Sequence, residues 1–144
     1  MSSQLNQANP VEQDSPFGDV IYAYTRAQAL EDGYLVDVSA MAKEAGFKIP
    51  TALTRAVWED CVAWDESDSK RQTHQDQDGR LWDVLYMASM AARTSQHAEQ
   101  IMYKLYRVPR GGRARRARLV TLKLHIGPGD QGEPVVTILQ PNED

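Results

Sequence analysis

A single α+β domain is the fold this sequence predicts, and three observations predict it. Apolar residues recur at helical spacing through the first two thirds of the chain, and Gly or Ser/Thr/Asp residues stand where helices would end or begin. The last third changes to strict alternation of apolar and polar residues, the period of a strand. At 144 residues, with 42% hydrophobic and 25% charged residues, the chain is long enough for one core and gives no sign of a second domain or an internal repeat.

Residues 1–16 are rich in Ser, Gln, Asn and Asp and include Pro10 and Pro16, a composition that predicts a flexible tail. Order is expected from Phe17 onward, so the domain is placed at residues 17–144. Thr25 is positioned to cap a short helix, Arg26 to Glu31, that Gly33 would end. Leu35 to Val38 reads as extended. Ser39 then suits the cap of a second helix, Ala40 to Ala45, closed by Gly46, and Phe47 to Ile49 reads as extended up to Pro50.

Thr51 is expected to cap a longer helix, Ala52 to Trp64, in which Leu53, Val57, Cys61 and Trp64 share one face. The polar run from Asp65 to Gly79 reads as a loop, with Asp78 as cap of a third strong helix, Arg80 to Arg93. The stripe of Leu81, Val84, Leu85, Ala88 and Ala91, widened by Trp82, Tyr86, Met87 and Met90, marks that helix as central to the core.

Three runs then alternate: Ile101 to Tyr106, Val120 to Ile126 and Val135 to Leu139. Turn-rich connections join them at Pro109 to Ala117 and Gly127 to Pro134. They predict a three-stranded antiparallel meander in the C-terminal half, packed by one face on about three to four helices. In that register Val120, Leu122, Leu124 and Ile126 face the helices.

Several function classes find no support. Cys61 is the one cysteine, so no intrachain disulfide is expected, and its place on an apolar helix stripe suits a small core residue rather than a nucleophile. His74, His97, His125 and Cys61 have no zinc-pair spacing, and the acids between Asp65 and Asp78 lack the order of a calcium loop, so no metal or cofactor is expected. No phosphate loop or serine elbow is present. The polar N-terminus does not read as a secretory signal and no apolar run approaches the length of a membrane span, so the expected location is the cytoplasm.

Charge is the unusual feature. The formal net charge is −4, yet Arg107, Arg110, Arg113, Arg115, Arg116 and Arg118 lie within one short stretch that contains no acid. An arginine-rich hairpin arm of this kind can pair with nucleic-acid phosphates, which guanidinium groups bind with two hydrogen bonds at once. It suits an acidic protein partner equally well, or a solvated loop, and the arm itself lacks aromatic residues to stack on bases. A second polar cluster, Arg71, His74, Asp76 and Arg80, has the residue types for an acid–base site with an anion clamp. It also has the composition of an ordinary solvated loop.

The segments Asp19 to Ala29, Ala56 to Trp64, Gly79 to Ala88 and Gly127 to Ile138, together with Arg107 to Arg110, resemble an uncharacterised family of small bacterial proteins. Members of that family sit on plasmids, integrative elements and phage-like regions. The resemblance implies an accessory protein of mobile DNA and carries no catalytic residues with it. The leading expectation is therefore a non-enzymatic module that grips nucleic-acid phosphates through the arm. The alternatives are a protein-binding inhibitor of a host defence system and a small enzyme working from the His74 loop.

Overall fold

Thr25 caps the first helix as expected. In the computed structural model, which describes residues 24–95 and 97–144, α1 spans Arg26–Asp32. The Thr25 side chain accepts the Gln28 backbone N–H, and the Gln28 side chain accepts that of Thr25, a reciprocal capping box. The expected tail at residues 1–16 and the apolar start at 17–23 lie outside the described residues. Strand β1, Leu35–Asp37, leads into α2, Ser39–Ala45. Ser39 is not the cap of α2 but its first residue. Its hydroxyl donates to Asp37 Oδ1 at 2.6 Å and accepts the Thr51 N–H at 3.0 Å, tying this junction to the next strand.

The expected helix from Ala52 to Trp64 is replaced by three pieces. Thr51–Thr54 form strand β2, Arg55–Val57 a turn of helix α3, and Trp58–Val62 a π-helical turn that continues it. Thr54, not Thr51, caps this helix by accepting the Val57 N–H. The reason is that β2 is buried on both faces. A strand in that position has no polar side and so no alternation to read.

The Asp65–Gly79 segment contains helix α4, Glu66–Arg71, which the loop expectation missed. Asp65 and Asp68 make a capping box at its start. Helix α5 spans Gln77–Thr94, and its cap is Asp76 rather than Asp78: the Asp76 carboxylate accepts the Gly79 N–H at 3.1 Å.

Strands β3 (Gln100–Arg107), β4 (Arg118–Pro128) and β5 (Pro134–Leu139) follow. They pair as consecutive antiparallel neighbours, but they are only part of a larger sheet than the one expected. Among the described residues the sheet has five strands in the order β1-β2-β5-β4-β3, and β2 runs parallel to β5, which makes it mixed. One face carries Leu53, Leu122, Leu124, Val136 and Ile138, all fully buried, against α2, α5 and the π-helical turn. Each such side chain contributes roughly 1.5–3 kcal/mol on leaving water. Val120 and Ile126 pack at the margin of this core, so the expected facing of β4 holds. Tyr103 crosses the core to donate its hydroxyl to the Val84 carbonyl at 3.1 Å, and burial pushes its phenol above the ordinary tyrosine range.

Candidate functional site

The six arginines of the arm divide into two groups. Arg107 ends β3 with its side chain turned inward, only 8% exposed, where its guanidinium donates to the carbonyls of Cys61 and Arg80 and to Asp83 Oδ2 at 2.8 Å. Arg80 lies beside it. Its guanidinium donates to the carbonyls of Val62 and Val108 and to Gln75 Oε1, and stacks 4.5 Å from the centre of the Trp64 ring. The Cys61 and Val62 carbonyls end the π-helical turn, where oxygens lack partners within the helix and the dipole favours positive charge. Two buried cations thus serve as its C-terminal cap. Burial first, and then the neighbouring Arg107, pull Arg80 down to about 10, which leaves its guanidinium charged at neutral pH.

Arg110 is committed as well. Its guanidinium meets Asp68 at 2.9 Å, Glu59 at 3.3 Å and Asp65 at 3.5 Å, fastening the arm to α4 and the π-helical turn. Burial works to raise the Asp68 carboxyl. Hydrogen bonds from the Asp65 backbone and from Arg110 outweigh it and hold the group down at about 2.

Gln72, just past the end of α4 and buried, completes the anchorage. Its Nε2 donates to the carbonyls of Pro109 and Ala114, and its Oε1 accepts the Gly111 N–H at 2.9 Å. One amide therefore spans both sides of the arm. Between those points Gly111 and Gly112 take φ angles of 84° and 68°, a left-handed turn that side chains with a Cβ rarely adopt.

Above the anchored base, Arg113, Arg115, Arg116 and Arg118 are exposed. Among the described residues none of the four forms an ion pair. The arm is thus a tethered loop with a cationic crown.

Among the described residues no side-chain hydrogen bond or ion pair links Arg71, His74, Asp76 and Arg80 to one another. His74 is exposed, Asp76 is occupied as the cap of α5, Arg71 pairs with Asp68, and Arg80 is buried among backbone carbonyls. Cys61 is buried, and that burial pushes its thiol up to about 11. Among the described residues no helix is long and apolar enough to cross a membrane.

Sequence reasoning missed the residues that hold the arm: Glu59, Asp65, Asp68, Gln72 and Asp83. One signal was available, since Asp65-x-x-Asp68 is a capping-box spacing and marks α4. The pairing of that helix with the arm has no sequence signal.

No curated protein and no solved structure matches the chain. One family model does, over residues 16–144, and it covers nearly all of the sequence. The chain therefore belongs to a family of unknown function (DUF6573).

Proposed function

We propose that this protein is a non-enzymatic nucleic-acid-binding module whose crown residues, Arg113, Arg115, Arg116 and Arg118, hold phosphates without reading sequence. Arg107 and Arg110, counted with the arm from sequence, build its base instead. The observation that carries the reading is the contrast in partners. The base arginines are matched by Asp68, Asp83, Glu59 and Asp65, whereas the crown has four exposed guanidiniums and no carboxylate on them among the described residues. Exposed guanidiniums on a tethered loop concentrate positive potential on an otherwise acidic chain. An accessory role in mobile DNA, as the resemblance implies, suits a binder of this kind. Contact with phosphates alone predicts weak dependence on base sequence.

The test is a titration of random duplex DNA at several salt concentrations, with the crown arginines replaced together by alanine in parallel. With three or four phosphates neutralised, log K should fall against log salt with a slope of about −2.7 to −3.6. The fourfold variant should lose most of the affinity and change folding stability by less than about 0.5 kcal/mol, since its residues touch little. Equal affinity of wild type and variant, or no binding at low salt, overturns the reading. A stoichiometric acidic protein recovered on the wild type and lost on the variant would assign the crown to a protein partner, such as a component of a host defence system.

A further inference from the structure

The arm has no aromatic residue of its own, but the fold brings aromatics to its foot. Among the described residues the sheet ends at β3, whose outer edge pairs with no other strand of them. At the last rungs of the β3–β4 ladder Tyr106 faces Leu119 and Arg107 faces Arg118, so the crown begins where an exposed apolar pair ends. Tyr106 is 65% exposed and Leu119 52%. From the other side α5 presents Tyr86, 42% exposed and stacked on Trp82 with ring centres 5.8 Å apart. Between them runs a groove of about 300 Å³ lined by Tyr86, Met87, Lys104, Tyr106 and Leu119. Its one carboxylate, Asp83, is already balanced by Arg107.

An open groove with aromatic faces and a lysine on its lip, continuous with four exposed guanidiniums that form no ion pair among the described residues, matches a polyanion that also carries flat π-surfaces. Duplex DNA presents its phosphates but hides its base faces in the stack. A single strand offers both. Leu119 lies three residues from Arg116, about 10 Å along an extended chain, so groove and crown fall within reach of neighbouring nucleotides. We propose that the α5–β3 groove takes unpaired bases of a single-stranded nucleic acid whose phosphates are held by the crown. This rests on the phosphate-binding reading and names its substrate class. Tyr106 is the principal stacking face, and Tyr86 closes the other wall.

The probe is a fluorescein-labelled single strand of about 12 nucleotides, within the usual span of such sites, with its duplex as the comparison. Binding is followed by anisotropy for wild type, Tyr106→Ala, Tyr106→Phe and the fourfold crown variant. The single strand should bind more tightly than the duplex. Tyr106→Ala should weaken the single strand about 5- to 100-fold and leave the duplex within about twofold, and Tyr106→Phe should keep wild-type affinity for both. Loss of both probes with the crown variant, but no effect of Tyr106→Ala on either, overturns the groove assignment while the phosphate reading stands. Binding of neither probe by wild type at low salt overturns both. A concentration-dependent dimer, abolished by Tyr106→Ala and unaffected by the single strand, would assign the groove and the open edge of β3 to a second copy of the chain.

Discussion

Arg107 and Arg113 belong to the same hairpin and have opposite surroundings. The first is buried, hydrogen-bonded to three backbone carbonyls and paired with Asp83; the second stands in solvent without a carboxylate among the described residues. The difference shows that an arginine-rich run is not one functional unit. A guanidinium has five donors, and where a fold must terminate a helical turn and join two segments, two of its arginines are recruited for that purpose. Only those left over are available to a ligand.

Removing a base arginine should have the largest effect. Arg107→Met keeps much of the side-chain volume but leaves the Cys61 and Arg80 carbonyls without their charged donor, and should cost roughly 2–4 kcal/mol. Urea denaturation with an unchanged slope checks this; a loss below about 0.5 kcal/mol would mean that the base is as dispensable as the crown. Gln72→Ala sharpens the comparison from the opposite side of the tether. It removes contacts to Pro109, Gly111 and Ala114, with an expected cost of about 1–3 kcal/mol. It should also free the loop, so trypsin should cut within residues 110–118 faster than in wild type. Unchanged cleavage would show that the tether does not restrain the loop.

The smallest change is expected from Asp68→Asn, which retains the shape of the capping side chain. The folded-state carboxyl, held at about 2, lies below the ordinary aspartate value, so the ionised form stabilises the fold above that ordinary value. Its contribution is lost as pH falls from about 4 toward 2. Denaturation midpoints of wild type and Asp68→Asn should therefore differ at neutral pH and converge in acid. A gap that persists below about pH 2.5 would contradict the assignment.

What could be read from the sequence follows the kind of interaction each residue makes. Leu122 and Leu124 alternate with polar neighbours, and Thr25 stands at the start of a helix that Gly33 ends; both patterns are local and both were legible. Thr51–Thr54 is central and buried on both faces, so its environment is made by distant segments and its apolar Leu53 fell in with a helical stripe. Helix α4 was hidden for a different reason. Its inward contacts are made by Asp68 and Gln72, polar residues that carry no hydrophobic period and whose partners lie on the arm. The site has the same division. Composition located the arginine arm, but which arginines remain free depends on acids up to about fifty residues earlier in the chain.

The place of β5 in the sheet also has a kinetic side. It is the last of the described strands in sequence order and the middle strand of their sheet, with β2 on one flank and β4 on the other. The β1–β2 and β3–β4 pairs can each form early through nearby contacts, but neither can join the other until β5 enters between them. The parallel ladder of β2 and β5 unites segments separated by most of the domain, and closing so long a loop slows folding. Until β5 enters, the inner edges of β2 and β4 lack their ladder partner. Assembly of this sheet is therefore gated by β5, the strand on which both halves close.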